Sequence, residues 1–139
     1  MAPGISEDER NGARRLQPGM TAEEVRKLSP LTLAYIGDAV YELYVREQII
    51  RIGEMSPGKM NRAAVGKVRA EAQAALVEEL EPQFTEEEAA VYHRGRNAKS
   101  HTHAKHASLA EYHRATGLEA VLGYLYLLGE EERIRKLLG

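Results

Sequence analysis

Two acids occupy positions where a carboxylate is costly. Asp38 lies inside "LTLAYIGDAVYELYV" and Glu119 inside "GLEAVLGYLYLLG", two stretches that are apolar on most helical faces. An isolated ionised carboxylate in a low-dielectric interior costs several kcal/mol even after relaxation. Such a group must be protonated, paired with a cation or bound to a metal. Helical neighbours of Asp38 are Ala34, Tyr35, Tyr41 and Glu42, which offer no cation. Around Glu119 stand Ala115, Thr116, Leu122 and Gly123, three of them small, so the surface there is notched. If the two helices pack face to face, the acids can share one hard divalent cation. Mg²⁺ suits such a site, because it keeps several waters and takes only one or two protein carboxylates. The plainer alternative is a structural acid, hydrogen-bonded to a tyrosine hydroxyl or lying near a distant arginine. Glu42 reads as a surface or hydrogen-bonding acid.

A second group of residues could hold phosphate. "RGRNAKS" supplies Arg94, Arg96, Asn97 and Lys99 within six positions, with a glycine where a backbone could approach a ligand. Forked and point donors of this kind suit phosphate oxygens. Between Ala89 and Ala110 there are four cations and no acid, and the same holds between Lys59 and Arg69. Charge is therefore segregated although the net charge is only −2. His101, His103 and His106 follow in "HTHAKH". Their spacing matches no common zinc motif, and polar loop histidines able to touch phosphate are the better reading.

These groups need a scaffold, and the signals for one are helical. Thr21, Ser29, Ser56, Thr85 and Ser108 stand where N-caps belong, with prolines following at 30 and 57 and a Glu three residues after Thr21 and Thr85. Gly53 and Gly129 sit at helix ends, and Gly95 is expected to end the helix that Thr85 opens. Met60, Ala64, Val68, Ala72, Leu76 and Leu80 recur every four residues, opposite Lys59, Arg62, Lys67 and Arg69. No strand periodicity is present. The expectation is an all-α domain over residues 20–139, with two apolar central helices wrapped by amphipathic ones and a loosely ordered extension over residues 1–19. The chain has 139 residues and no cysteine, which favours one domain in a reducing, cytoplasmic setting. No apolar run reaches the ~20 residues that span a bilayer.

With these pieces in place, "YIGDAVYELYV" resembles the signature helix of the ribonuclease III catalytic domain, and "LEAVLGYLYLL" resembles its second acidic helix. Together with "RGRNAKS" they are similar to Mini-ribonuclease III, the compact branch that carries no double-stranded-RNA-binding domain. The resemblance covers about Leu28 to Leu138. It implies a Mg²⁺-dependent homodimeric endonuclease that cuts both strands of an RNA duplex, including precursors of large-subunit (23S) ribosomal RNA, and leaves 5′-phosphate ends. Asp38 matches the metal-binding aspartate and Glu119 the catalytic glutamate. Tyr35 falls where the family carries an aromatic that enters the partner subunit, and Arg94, Arg96, Asn97 and Lys99 match a loop that lies along RNA. Two further carboxylates of the larger enzymes are replaced here by Ala34 and Thr116, a loss shared by the compact branch, so one well-held Mg²⁺ is expected. Two rivals stand beside this reading: a non-catalytic RNA-binding relative, and a helical DNA-binding or adaptor module without metal.

Overall fold

The computed structural model describes residues 16–68, 70–99 and 108–139. These form seven α-helices: α1 (Ala22–Arg26), α2 (Pro30–Ile52), α3 (Pro57–Val68), α4 (Ala70–Leu80), α5 (Glu86–Asn97), α6 (Leu109–Leu128) and α7 (Glu131–Leu138), with a 3-10 turn at Glu81–Gln83. Among the described residues there is no strand, and the all-α expectation holds. The start sites follow cap chemistry. Thr21 with Glu24, Thr85 with Glu88 and Ser108 with Glu111 each close a reciprocal capping box, and Ser29 accepts from the Thr32 N–H ahead of Pro30. At the other end of α6, Gly129 adopts φ 84°, a left-handed conformation that only glycine takes without strain, and its N–H returns to the last carbonyls. Of the proposed extension, residues 1–15 lie outside the described region. The N–H of Met20 bonds the Leu127 carbonyl at 2.8 Å, which ties the start of the domain to α6.

α2 and α6 form the centre and make the most extensive helix contact. Glycines govern how closely they cross. A Cβ on Gly37 would fall inside the backbone carbonyl of Glu119, and one on Gly123 inside the carbonyl of Leu33. The two backbones thus touch at reciprocal positions, and the notch around Glu119 is filled by a helix. On the far side of α6, α5 crosses at Gly95, where a Cβ would lie 2.8 Å from the Ala120 Cβ and 3.0 Å from the Gly117 Cα. Gly95 is therefore a packing residue inside α5, which runs on to Asn97; it neither ends the helix nor opens its backbone to a ligand.

Two further expectations are corrected. The apolar pattern of α2 predicts burial on most faces. The helix buries Leu33, Ala34, Gly37, Tyr41, Val45 and Ile49 along one face, but leaves Leu31, Tyr35, Leu43 and Ile50 open to solvent, Tyr35 at 82%. A single chain this small has only enough core to cover one side of so apolar a helix. In α4 the buried face is Gln73, Ala74, Val77 and Leu80, while Ala72 and Leu76 are not fully buried. The fourfold repeat is divided between two helices, α3 ending at Val68 and α4 starting at Ala70, so no single continuous face carries it. Lys59 and Arg62 are exposed as expected, whereas the side chains at 67–69 lie outside the described region. α7 is held down by Arg133, whose guanidinium donates to both Glu88 oxygens at 2.8 Å and to the Gln83 carbonyl at 2.7 Å. Burial alone would raise the Glu88 carboxyl; the guanidinium and the Thr85 cap outweigh it and hold the group below its ordinary value.

Candidate active site

The Gly37–Gly123 crossing sets the geometry of the acids. Asp38 follows Gly37 on α2, and the Glu119 carbonyl is the group Gly37 packs against. The two side chains meet: the Asp38 carboxyl lies close enough to Glu119 to act on it both by hydrogen bonding and by charge. Asp38 is exposed and Glu119 half-buried, so the pair lies at the solvent edge of the crossing. The exposure of Asp38 departs from the sequence reading, which buries both acids, and has the same cause as the open face of α2.

Two carboxyls cannot bond each other while both are ionised. Burial, followed by the hydrogen bond and the charge of Asp38, pushes the Glu119 carboxyl up to about 9. The pair therefore favours holding one proton between its two carboxyls. The side-chain amide of Gln73, on α4, opposes this shift by donating to Glu119. None of the ion pairs among the described residues includes Asp38 or Glu119. Glu42 instead pairs with Arg46 at 2.7 Å on the surface, as expected of it. Thr116, one turn before Glu119, is buried and gives its hydroxyl proton to the Tyr112 carbonyl at 3.0 Å.

The donor set fits a hard cation. Two carboxylate oxygens face each other across a gap now bridged by a proton, and a divalent ion can replace that proton and neutralise both charges. Among the described residues no group of three or more acids, histidines or cysteines gathers, so an ion here would rely on water for its remaining ligands.

The phosphate-binding candidates sit one helix away. Arg94, Arg96 and Asn97 form the last turn of α5 rather than a loop, and Lys99 follows just beyond the helix. Arg94, Asn97 and Lys99 are not buried. Arg96 lies over the Tyr92 ring at 5.6 Å, which stiffens its stem. Because Gly95 packs on Gly117 and Ala120, this basic turn crosses α6 at the level of Glu119. Residues 101, 103 and 106, the histidines, lie outside the described region.

Gln73 is a residue that sequence reasoning misses. Its signal is available: it stands at i, with Val77 at i+4 and Leu80 at i+7, a polar side chain on a core face, and it is only 2% exposed.

Residues 31–130 match the ribonuclease III domain. The Mini-ribonuclease 3 of Symbiobacterium thermophilum is 50% identical over 111 residues, covering 80% of this chain and 85% of that one. The Mini-ribonuclease 3 of Clostridium tetani is 44% identical over 119 residues, covering 85% and 79%. A crystal structure of a protein from Fusobacterium nucleatum superposes with a TM-score of 0.76 at 32% identity, covering 83% of this chain and 93% of that one. A chain with this helical core and a match over most of its length belongs to the ribonuclease III family of endoribonucleases.

Proposed function

We propose that this endoribonuclease cuts double-stranded RNA by hydrolysis at the Asp38–Glu119 pair, with Mg²⁺ as its cofactor, and that it matures the large-subunit (23S) ribosomal RNA precursor as a cytoplasmic homodimer. The observation that carries the reading is the meeting of two carboxyls at a solvent-open helix crossing, with neither joined in an ion pair among the described residues. Asp38 and Glu119 are the groups that would hold the ion. Bound there, Mg²⁺ supplies a more acidic water and Lewis-acid stabilisation of charge at phosphorus. The protein's own share is to hold two anionic oxygens at fixed separation, and to lay the duplex along Arg94, Arg96, Asn97 and Lys99. Recognition then follows A-form shape and backbone, because side chains cannot read the deep major groove of RNA.

Dimerisation is supported by the open stripe on α2. Leu31, Tyr35, Leu43 and Ile50 are exposed on one helix, which marks a partner surface in a protein this size. Ile50 also lines a mostly apolar recess of about 300 Å³ with Ile49, Pro57, Met60 and Ala64, which Arg46 and Asn61 line as well. A two-fold copy could seat Tyr35 in it, and each partner would receive the same contact. Among the described residues no helix is long and apolar enough to cross a membrane.

The test is to incubate the pure protein with duplex RNA, with and without Mg²⁺, and to identify the product ends. Metal-dependent 5′-phosphate and 3′-hydroxyl ends support the proposal. Metal-independent cleavage to cyclic phosphates, or binding without cleavage, overturns it. A second expectation concerns the basic turn. Arg94→Ala and Lys99→Ala should weaken binding to all duplex sequences alike. Each should flatten the plot of log affinity against log salt by about one for every phosphate the variant ceases to neutralise. Filter binding across a salt series measures this.

The shared proton predicts a pH effect on the metal-free protein. Glu119 rises from an ordinary 4.5 to about 9 on folding. The stability that its proton contributes is fully present below the unfolded value and is lost as pH rises through the folded one. The metal-free melting temperature should therefore fall as pH climbs from the unfolded value of 4.5 towards about 9. Added Mg²⁺ should restore it at the alkaline end, by about 2.7 kcal/mol at a hundredfold excess over its Kd. Thermal melts in chelator and in Mg²⁺ check both signs.

A further inference from the structure

Three polar residues are buried in the described core: Gln73, Glu88 and Thr116. Glu88 answers to Arg133 and Thr85, and Thr116 to the Tyr112 carbonyl. Gln73 sits among Ala74, Val77 and Leu80 on the face of α4 turned to the core. A buried amide lacking compensation costs about 1–3 kcal/mol in proteins. An apolar residue would therefore be the stable choice at this position, unless the amide serves something. One group it serves is on α6: from the buried face of α4 its side chain hydrogen-bonds Glu119.

Glu119 is thus approached from two helices, by Asp38 on α2 and by Gln73 on α4. Thr116, the side chain best placed on α6 itself to support Glu119, is committed to its own helix. We propose that Gln73 is a positioning residue: its amide holds the Glu119 carboxyl from the core side so that the remaining oxygen lone pairs face Asp38 and a divalent cation. This rests on the reading of Asp38 and Glu119 as a metal-binding pair. The choice of a carboxamide follows from charge. A lysine or arginine at 73 would neutralise Glu119 and compete with the ion. A carboxylate would add to the repulsion already present. A neutral N–H donor fixes the carboxyl and leaves the negative charge of both acids for the metal.

Gln73→Met tests the proposal, since methionine keeps the length and removes the amide. The melting temperature of the metal-free variant should match or exceed that of the wild type. Mn²⁺ binding to the RNA-free protein, read from the spectroscopic signal of unbound Mn²⁺, should weaken by about 10–100-fold. At saturating metal kcat should fall by a similar factor while KM for duplex RNA holds, a split that a packing defect does not produce. Asp38→Asn runs beside it as a control. If that control loses Mn²⁺ binding and cleavage while Gln73→Met stays close to wild type in both, the positioning role is wrong and the metal pair stands. If the control itself binds and cleaves normally, the metal pair is wrong and the role of Gln73 falls with it. Should Gln73→Met fail to fold, the side-chain amide protons of Gln73 in the wild type decide by NMR. They should exchange slowly with water and shift both on Mg²⁺ addition and in Glu119→Gln. Amide signals that do neither overturn the proposal.

Discussion

Asp38→Asn is expected to cleave duplex RNA about 10³-fold more slowly than the wild type, the scale set by removing one preorganised charged or polar group from a transition state, while folding normally. Asparagine has the same shape, and position 38 is exposed, so no cavity or clash results. Its amide can still bond Glu119. What disappears is one of two negative charges available to a cation. The stability effect should run opposite to the activity effect. After burial, Asp38 is the cause of the raised Glu119 pKa, through its hydrogen bond and its charge. Neutralising it lets Glu119 ionise more easily, so the metal-free variant should melt at or above the wild-type temperature in alkaline buffer, near the Glu119 value of about 9. RNA binding should persist, because the basic turn of α5 is untouched. Single-turnover cleavage and thermal melts read the two effects separately. Cleavage at the wild-type rate ends the assignment of this site, and an unfolded variant would leave the stability argument untenable.

Among the described glycines, Gly37→Ala should be the most damaging added methyl. The new Cβ would occupy the position of the Glu119 carbonyl. Overpacking a core by a methyl costs about 1–3 kcal/mol when side chains can move aside. Here the obstacle is backbone inside a helix, which cannot rotate away, so the helices must separate. Separation undoes the reciprocal approach of Gly123 and Leu33 as well. The expected cost is above about 3 kcal/mol against a total stability of roughly 5–15 kcal/mol. Activity should vanish with it, since the residue pushed away is Glu119 itself. Gly66→Ala is the control. No atom lies within 4 Å of its added Cβ, and alanine in a helix should stabilise by about 0.4–1 kcal/mol. Circular-dichroism melts of both variants decide the matter. A Gly37→Ala protein that melts alongside Gly66→Ala refutes the close crossing.

Much of the architecture is legible in local chemistry. The caps at Thr21, Ser29, Thr85 and Ser108 are short-range devices, written within three residues of each helix start, and all four form. The ends at Gly53 and Gly129 are equally local. Gly95 misleads because a glycine in a helix has two opposite uses, termination and close packing, and the difference lies in Gly117 and Ala120 on another helix. The basic turn at Arg94, Arg96, Asn97 and Lys99 is legible as composition. Its place beside the level of Glu119 is not.

By itself, then, the sequence determined the helices, most of their boundaries, and the presence of two acids in apolar surroundings that demand a partner. Cap and patterning chemistry acts over a few residues, so it can be read along the chain. Tertiary structure alone decided that Asp38 and Glu119 meet, that Asp38 is open to water, and that Gln73 reaches Glu119 from the core. Those outcomes depend on two glycine-lined backbones meeting between residues far apart in sequence, and on how much of an apolar helix one small core can cover. No local pattern encodes either quantity, because both belong to the distance between helices.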